Sequence, residues 1–438
     1  MGAGRPFAGV SDRVSCLPTL LSINNYYYYR GGAERVFLQQ NQLFRDLGWE
    51  VVPFCITHKN NIDTPWSRYF VDELELGEGY SPAQKLIRAA KVIYSFEARR
   101  KLARVLDETE PAACHAHNIY HHISPSILGL LKRRAIPVVL TLHDLKIACP
   151  AYNMLASDGI CERCRHARIY NVLTHRCIKG SVALSAVVMI EALVHNLLRS
   201  YRACVSRFVV PSRFYISKLS AWGLPPSMFR HVPNFVRPEC YAPQYPPGDG
   251  FLYFGRLSRE KGLATLIRAA AMTQSRVLIA GTGPQLDELR RIALQLQANV
   301  EFIGYLAGDR LHSVIRGARA VVLPSEWYEN APMSVLEGYA LGKPVIGARI
   351  GGIPELLREG ETGLGCESAN ADSLAVALRA MSDLPDRRIE DMGRAARRWV
   401  ESEFTAVLYR DRICDLYREL HVPMSGTPAS GCVPRSTP

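Results

Sequence analysis

Two glutamates spaced eight residues apart, Glu329 and Glu337, are the side chains of this sequence best suited to chemistry on a ligand. If Glu337 lies two turns down a helix, a rise of 1.5 Å per residue would separate the two carboxylates by about 12 Å. The carboxylate pair of a glycosidase needs about 5 to 9.5 Å, so this spacing favours two anchors for opposite ends of one elongated ligand. The alternative is a solvated helix face without function.

The segment that carries these glutamates has the pattern of a strand, a loop and a helix. An apolar run at residues 320–324 predicts a buried strand. Pro332 is typical of a first helical turn, where a missing N–H costs nothing. Free N–H groups at the helix start, from Ala331 to Met333, would face an anion. Such a loop is the usual ligand site of an open α/β sheet.

A second loop combines a glycine with two cations. Gly255, Arg256 and Lys261 follow a predicted strand, residues 251–254, and precede a predicted helix, residues 263–271. The guanidinium of Arg256 can fork two phosphate oxygens, and Lys261 adds a point charge. Together they can neutralise a diphosphate without a divalent metal, and the sequence contains no Asp-x-Asp motif. A surface ion pair is the alternative for either residue alone.

Glycines follow two further predicted strands. Gly31 and Gly32 stand between a predicted first strand, residues 17–24, and a helix, where paired glycines let backbone approach phosphate. They are not a dinucleotide fingerprint, because the third glycine is absent. Gly283 closes a strand-and-turn pattern at residues 277–283, consistent with one wall of a nucleotide site.

Three histidines lie near predicted strand ends. His115 and His117 are two residues apart, so a strand would place them on one face. A metal pair is the weaker interpretation because no third ligand is near in sequence, which leaves a structural role or a place in an acceptor cleft. His143 follows a strong strand pattern, residues 137–142, at the edge where ligands bind in such sheets.

Four cysteines mark an insertion at residues 149–177. They form a C-x11-C-x2-C-x12-C pattern: Cys149, Cys161, Cys164 and Cys177. The inner spacing is typical of zinc ligands, and a reducing compartment disfavours disulfides. We therefore predict a structural zinc ion held by four thiolates, with no open position for chemistry. His166 or His175 could replace a cysteine, and four independent thiols are the alternative.

The length of 438 residues, with alternating strand and helix patterns in both halves, predicts two α/β domains with parallel sheets. The predicted N-terminal domain spans residues 16–236, and a linker at residues 237–250 joins it to a C-terminal domain at residues 251–404. A helix at residues 405–422 is predicted to cross back to the N-terminal domain, and residues 423–438 are predicted to form a disordered tail.

The net charge of +12 belongs to the first half of the chain. Residues 1–236 contain 29 Lys and Arg against 17 Asp and Glu, whereas residues 237–438 contain 24 of each. A predicted basic amphipathic helix spans residues 81–110. A basic half suits an anionic partner such as a membrane surface or a lipid-linked phosphate, and a solvated face is the alternative. Nucleic acid is not expected, since no recognised nucleic-acid-binding signature is present.

Sequence patterns also bear on location. No uncharged apolar run reaches the roughly 18 residues of a membrane span, and the nearest, residues 182–198, contains Glu191 and His195. The first residues lack the apolar core of a signal peptide. We expect a cytoplasmic protein with peripheral contact at the inner membrane face.

The motifs as a set resemble those of retaining glycosyltransferases of family 4, which have the GT-B fold of two Rossmann-like domains facing a central cleft. The resemblance rests on the Glu-x7-Glu pair, on a Gly-Arg-Leu-x3-Lys-Gly motif from Gly255, and on a Gly-Gly-x-Glu motif from Gly31. It also includes a hinge-like Pro-Asn-x-Val segment from Pro233. Two residues depart from the family pattern: Phe235 stands where glycine is usual, and Asn330 stands where a small residue is usual.

The resemblance implies transfer of a sugar from a nucleotide-diphosphate sugar to a hydroxyl of a saccharide or lipid-linked acceptor, with the anomeric configuration retained. Arg256 and Lys261 would stabilise the leaving diphosphate. Glu329 and His143 would contact the donor sugar, and Glu337 would hold the ribose. No cofactor is implied for catalysis. The other residues implied at the nucleotide sugar are Gly31, Gly32, Gly255, Gly283, Asn330, Ala331 and Pro332.

Two alternatives to this function remain open. One is another GT-B enzyme, such as an epimerase or a phosphorylase, although the sequence shows no lysine context for a phosphorylase cofactor. The other is a catalytically silent GT-B scaffold that docks on membranes or other enzymes. The presence of both cations and both glutamates argues against a silent scaffold.

Overall fold

The computed structural model describes residues 18–74 and 79–424. The first residues of the predicted N-terminal domain lie outside the described residues, as does the predicted tail from residue 425 onward. Within the described ranges the chain forms fourteen strands and fifteen α-helices.

The strands are β1 (Thr19–Ile23), β2 (Glu50–Phe54), β3 (Ala113–Ala116), β4 (Val138–Thr141), β5 (Leu155–Ala156), β6 (Gly159–Ile160), β7 (Arg207–Val210), β8 (Phe229–His231), β9 (Phe251–Phe254), β10 (Val277–Ala280), β11 (Val300–Gly304), β12 (Ala320–Leu323), β13 (Val345–Ala348) and β14 (Gly363–Cys366).

The helices are α1 (Gly32–Asp46), α2 (Pro82–Ile93), α3 (Phe96–Thr109), α4 (Leu128–Arg133), α5 (Asn171–Thr174), α6 (Val182–Leu197), α7 (Ser200–Cys204), α8 (Arg213–Ala221), α9 (Leu263–Thr273), α10 (Leu286–Gln295), α11 (Gly308–Arg316), α12 (Met333–Ala340), α13 (Ala371–Asp383), α14 (Asp386–Glu403) and α15 (Ala406–Glu419).

Two six-stranded sheets form the two halves of the molecule. The N-terminal sheet has the order β2-β1-β3-β4-β7-β8, and the C-terminal sheet has the order β11-β10-β9-β12-β13-β14. All strand pairs of both sheets are parallel. The strands read as continuous apolar runs because helices cover both faces of such sheets. This confirms the predicted fold class of two parallel-sheet α/β domains.

The last helix returns to the N-terminal domain. Val236 forms a β-bridge with Thr405 immediately before α15, and the apolar side of α15 packs in the same buried cluster as β1 and α1. Phe235, fully buried, lies with its ring centroid 4.3 Å from that of Tyr409. The aromatic residue that departs from the family hinge pattern therefore fills the contact between the hinge and the returning helix.

The basic segment predicted as one helix over residues 81–110 is two helices, α2 and α3, and the single-helix prediction is wrong. The break falls at Tyr94 and Ser95, both in extended backbone conformation. Ser95 Oγ accepts a hydrogen bond from Ala98 N at 3.1 Å and caps α3. A serine N-cap inside a periodic pattern starts a new helix because it satisfies an otherwise free N–H group.

Helix α6 contains the apolar run that came nearest to a membrane span. Glu191 and His195 on this helix are both buried against the protein. Among the described residues, no helix is both long and apolar enough to cross a membrane.

Candidate active site

The Glu329 carboxylate lies in the loop after β12 and is 6% exposed. Its Oε1 accepts hydrogen bonds from Lys261 Nζ at 2.7 Å and from Ser325 Oγ at 2.8 Å. Burial alone would raise the pKa of this carboxyl, but the charge and hydrogen bond of Lys261, with the Ser325 hydroxyl, lower it below its usual value. Glu329 is therefore ionised at neutral pH and can only accept hydrogen bonds.

Two glycines hold the backbone of this loop. Gly352 N donates to Glu329 O at 2.8 Å. Gly351 has φ +62°, and a Cβ there would lie 2.3 Å from Glu329 O. A Cβ on Gly352 would lie 1.9 Å from Asn330 O. Side chains at either position would displace the loop that carries Glu329.

The two cations sit on neighbouring parts of the loop after β9. Lys261 ends a 3₁₀ turn and is followed by Gly262, where a Cβ would lie 1.9 Å from Pro324 O. This close approach brings the Lys261 loop against the Glu329 loop. Arg256 is exposed, and in the described part of the chain no carboxylate pairs with it. Its charge opposes the rise that burial causes in the pKa of Tyr152, so the guanidinium lies near that hydroxyl.

The predicted nucleotide-wall glycines pack backbone on backbone. Gly255 has φ +151°, and a Cβ on Gly281 would lie 1.9 Å from Gly255 O. A Cβ on Gly283 would lie 2.2 Å from Leu257 O. The turn after β10 therefore rests directly on the loop that carries Arg256, and the glycines permit that contact.

Glu337 lies on α12 and is 6% exposed. The helix begins at Met333, so Glu337 lies one turn into it and Glu329 lies in the preceding loop. The premise that Glu337 lies two turns down the helix is therefore wrong, and the separation of about 12 Å no longer follows from it. The Glu337 carboxylate forms an ion pair with Arg35 of α1. This pair joins the two domains directly across the cleft.

The Gly31–Gly32 pair lies at the start of α1, opposite α12. Gly31 is the N-cap of α1 and makes no side-chain cap. A Cβ on Gly32 would lie 3.6 Å from Met333 Cγ, so the glycine loop faces the first residue of α12. Burial raises the pKa of Glu34 in the first turn, against the lowering effects of nearby N–H groups and Arg30. The N-terminal glycine loop and the Glu329 segment thus border one cleft.

Asn330 joins the two domains instead of facing open space. Its Nδ2 donates to Leu142 O at 2.8 Å, and its Oδ1 accepts from Ser212 Oγ at 2.8 Å. The next residue, Ala331, accepts a hydrogen bond at its carbonyl from Asn234 Nδ2 at 2.7 Å. Pro332 is the N-cap of α12. The departure from a small residue at position 330 therefore has an interdomain role.

His143 belongs to a stack of histidines at the ends of β3 and β4. His117 Nδ1 lies 2.9 Å from His143 Nε2, and their rings stack with centroids 5.2 Å apart. The His115 ring also lies against that of His117, with centroids 5.0 Å apart. Burial lowers the pKa of His143 to about 4, so this histidine is neutral at physiological pH. It can contact a sugar hydroxyl but carries no charge.

Asp144 is a titratable neighbour of this stack that sequence reasoning gave no role. It accepts hydrogen bonds from the Tyr120 hydroxyl and, at 2.9 Å, from Lys146 N. Burial raises the pKa of Asp144 to about 7, although the N–H group and charge of Lys146 oppose the rise. It lines a small cavity together with His143 and Tyr120.

The four cysteines of the insertion line a single cavity, together with His175. Cys149 and Cys164 are buried, Cys161 is intermediate and Cys177 is exposed. Burial first, and then the neighbouring thiols, raises the pKa of Cys164 to about 12. Among the described residues, no three side chains of the types His, Cys, Asp and Glu are arranged in this structure so that they could bind one metal ion.

Several residues of this site were missed from the sequence. Arg35 is the residue directly after the Gly-Gly-x-Glu motif. Ser325 lies in the same loop as Glu329, four residues before it. Asn234 lies in the hinge-like segment. Their partners lie 302, 4 and 97 residues away, respectively, along the chain. Only the fold reveals such pairings, although the proximity of Arg35 to a glycine motif is a signal that sequence reasoning could have used.

Two family models match the sequence. Glycosyltransferase Family 4 matches residues 30–239, and Glycosyl transferases group 1 matches residues 247–399. The boundary between the matches falls in the segment that joins the two sheets. Together the matches cover most of the chain.

Curated relatives match over part of their length. A D-inositol 3-phosphate glycosyltransferase of Arthrobacter sp. (strain FB24) is 33% identical over 291 residues, covering 63% of this chain and 64% of the relative. A GDP-mannose-dependent monoacylated alpha-(1-6)-phosphatidylinositol monomannoside mannosyltransferase of Corynebacterium glutamicum is 30% identical over 222 residues, covering 45% and 58%. An uncharacterized glycosyltransferase of Methanocaldococcus jannaschii is 35% identical over 139 residues, covering 30% and 35%. The chain thus spans between 35% and 64% of the length of these relatives.

Solved structures share the fold over nearly the whole chain. The sucrose-phosphate synthase of Thermosynechococcus elongatus superposes with a TM-score of 0.66 at 20% identity, covering 93% of this chain and 99% of that chain. Anabaena HepE in complex with UDP-glucose superposes with a TM-score of 0.65 at 16% identity, covering 92% and 99%. The family matches and the shared fold lead to one conclusion: this chain is a member of glycosyltransferase family 4, the glycosyl transferases of group 1, with the GT-B fold.

Proposed function

We propose that this protein transfers a sugar from a nucleotide-diphosphate sugar to a hydroxyl of a saccharide or lipid-linked acceptor, with retention of the anomeric configuration. The observation that carries the proposal is the buried Glu329 carboxylate paired with Lys261 at 2.7 Å. The exposed Arg256 lies on the same loop as Lys261. An acceptor of sugar hydroxyls thus adjoins cations that suit a departing diphosphate.

The cations supply the electrostatic part of the mechanism. Negative charge grows on the leaving diphosphate as its bond to the sugar breaks, and fixed cations at that point lower the barrier. Arg256 offers a planar fork for two phosphate oxygens, and Lys261 offers a compact charge. Two positive side chains offset the two negative charges of the donor's diphosphate, so we expect this reaction to need no divalent metal.

The carboxylates position the donor. Glu329 is held ionised by Lys261 and accepts hydrogen bonds from sugar hydroxyls, while free N–H groups at the start of α12 face the phosphates. Glu337 lies one turn further along α12 and holds the ribose hydroxyls. Arg35 forms an ion pair with this carboxylate in the described structure. When the donor binds, its ribose hydroxyls therefore either displace Arg35 from Glu337 or share the carboxylate with it.

No side chain is assigned as a general base. His143 is neutral and His117 is the partner of its Nε2 atom, so we give His143 the role of contacting the sugar. In a retaining transfer of this type the leaving phosphate itself takes the proton of the acceptor hydroxyl. The acceptor enters from the basic N-terminal domain, whose charge favours an anionic or membrane-bound carrier.

The first experiment is a binding panel without added metal. The purified protein is titrated by calorimetry with uridine, guanosine and adenosine diphosphate hexoses, and hydrolysis of each donor is followed in parallel. UDP-glucose and GDP-mannose belong in the panel because a fold neighbour is bound to the first and a relative is named for the second.

We expect one donor to bind selectively and to be hydrolysed slowly in the absence of acceptor. Arg268→Ala, at an exposed position on α9, is the control for the removal of a positive charge from this domain and should bind like the wild type. If the folded protein binds no nucleotide sugar of the panel, the function is that of a silent scaffold and the proposal is wrong.

A further inference from the structure

The insertion at residues 149–177, between β4 and α6, has little of its own to hold its shape. Its regular structure is the two-residue strands β5 and β6 and the four-residue helix α5. Five of its non-glycine residues have left-handed backbone conformations: Tyr152, Met154, His166, Ala167 and Arg176. Such conformations persist only where the surroundings fix them, so the shape of the insertion depends on contacts beyond its own regular structure.

The four cysteines converge from separate parts of the insertion. Cys149 precedes the hairpin, Cys161 and Cys164 follow it, and Cys177 follows α5. All four line one small cavity with a largely apolar wall, and each thiol lies close enough to the other three for their charges to interact. As they stand, no three ligating side chains of the described residues have a metal-binding arrangement, so coordination requires the cysteine side chains to rotate toward this cavity.

Donors of hydrogen bonds lie beside two of the four thiols. The backbone N–H groups of Ala151 and Met154 lie near the Cys149 sulfur. Such N–H groups stabilise a thiolate, as the outer shell of a metal site does. Arg163 Nη1 donates to Cys161 Sγ at 3.6 Å.

The charge of the insertion also fits. Residues 149–177 contain four arginines and two carboxylates, a net charge of +2. A zinc ion with four thiolates carries a net charge of −2, because each coordinated thiol gives up its proton. The insertion and the metal site would therefore neutralise each other.

Because all four cysteines line one cavity, we propose that they bind a structural zinc ion through Cys149, Cys161, Cys164 and Cys177. This ion fixes residues 149–177, which we call the clasp, against the loops of the donor site. Soft thiolate ligands in a tetrahedral set of four select zinc over the hard cations. A closed set of four protein ligands leaves no position for substrate, so the ion has no part in the chemistry.

The clasp contacts the donor site on both sides of the cleft. Glu162, inside the C-x2-C segment, accepts hydrogen bonds from the Tyr328 hydroxyl at 2.9 Å and from Lys218 Nζ of α8 at 2.5 Å. Tyr328 is the residue before Glu329. Arg259, near Lys261, donates to Ser157 O at 2.6 Å in the clasp. The zinc ion thus holds a segment that joins the N-terminal domain to both donor loops.

Metal content tests the zinc site without any donor, so its result is independent of the proposed function. The full chain is purified under reducing conditions, incubated with Zn²⁺, desalted and analysed for metal by mass spectrometry. We expect about one zinc ion per chain. Co²⁺ should replace the zinc and show the visible absorption of a tetrahedral thiolate site. The double variant Cys161→Ser, Cys164→Ser should lose the metal. Cys240→Ser, at an exposed cysteine outside the insertion, should keep the metal.

The wild-type protein keeps the proposal testable even if the cysteine variants fail to fold. Thiol titration with and without bound zinc should show four protected thiols in the zinc form. Four thiols that react equally in both forms, or a folded wild-type chain that retains no zinc, would overturn the site. Iron bound in place of zinc would overturn the metal assignment.

The second part of the proposal, that the ion fixes the clasp on the donor loops, rests on the proposed function. A chelator that strips the ion should increase protease cleavage within residues 149–177 and weaken donor binding. Unchanged cleavage after the ion is stripped would show that the ion does not hold the clasp. Increased cleavage with unchanged donor binding would show that the clasp does not support the donor site.

Discussion

At the scale of single residues, the Glu329–Lys261 pair illustrates how burial and charge combine. Burial alone would raise the pKa of a carboxyl in this position, because burial disfavours its charged form. Lys261 reverses that tendency and itself remains partly exposed toward the cleft, with 23% of its side chain accessible. One cation therefore keeps the Glu329 carboxylate ionised and, in the proposed function, also serves the donor phosphates.

Asp144 gives a pH dependence that can be measured. Its pKa of about 7 in the folded protein exceeds the value of about 3.9 in an unfolded chain. Between these values the folded protein holds one proton more than the unfolded chain, so the free energy of unfolding decreases as pH rises. We expect Asp144→Asn to lose this decrease between about pH 4 and pH 7.

Urea denaturation across this pH range checks the expectation. The control is Asp249→Asn, at an exposed position in the linker, which should follow the wild type. A pH profile of Asp144→Asn parallel to that of the wild type would show that Asp144 has an ordinary pKa.

At the scale of elements, Asn330 ties the loop after β12 to the loop after β4. Asn330→Ala removes both hydrogen bonds and leaves the buried Leu142 carbonyl without its partner, which costs about 1–3 kcal/mol. We expect a lower free energy of unfolding and a higher KM for the donor, because the same loop carries Glu329.

A double-mutant cycle with Ser212→Ala isolates this interdomain contact. The two side chains bond at 2.8 Å, so we expect a coupling energy of about 0.5 kcal/mol or more. Asn299→Ala, at an exposed asparagine, serves as the control. Strictly additive effects of the two substitutions would show that the contact does not form in solution.

Helices α1 and α12 meet through Arg35 and Glu337, and the second glutamate has its own test. Glu337→Gln removes a charged acceptor of hydrogen bonds, a contact worth about 1.5–3 kcal/mol. We therefore expect binding of the donor nucleotide to weaken by about tenfold or more. Calorimetry with the nucleoside diphosphate measures this, with Glu301→Gln at an exposed glutamate as control. Unchanged affinity would remove Glu337 from the nucleotide site.

Sequence patterns predicted the elements of the site better than its contacts. Apolar runs and glycines are local signals, so a buried strand followed by a glycine loop was recognisable from the sequence. The loop that begins at Gly255 and carries Lys261 is an example. The start of α12 was misjudged, because Pro332 occurs both at an N-cap and in a first turn. The partners of Asn330 and Glu337 could not be predicted, since both lie in the other domain and no local signal specifies them.

At the scale of the whole molecule, the hinge and the returning helix α15 hold the two domains in one arrangement. Phe235 is fully buried and packs on Tyr409. Phe235→Ala would leave a cavity there, and we expect a loss of about 3–5 kcal/mol in the free energy of unfolding. Urea denaturation followed by fluorescence measures it.

Phe96→Ala provides the matched control for this change. Phe96 is 75% exposed on α3, so its removal should leave stability nearly unchanged. A loss at Phe235 no greater than that at Phe96 would show that the hinge does not depend on this contact.

The same long-range contacts explain what the sequence could establish about the whole molecule. Two parallel sheets follow from alternating strand and helix patterns, because each pattern is local. The position of α15 was predicted only through family resemblance, since its partners in β1 and α1 lie more than 350 residues away. The division of the basic segment at Ser95 depended on one capping residue, which a periodic pattern does not reveal.

The central claim is that the Lys261–Glu329 pair belongs to the catalytic centre of a sugar transferase. Its most direct test is the rate of nucleoside diphosphate release from the selected donor by Lys261→Ala, compared with the wild type and with Arg268→Ala. We expect the rate for Lys261→Ala to fall by about 10²–10³-fold or more while its circular dichroism remains that of a folded protein, with Arg268→Ala unaffected. Release at the wild-type rate by folded Lys261→Ala would contradict the account.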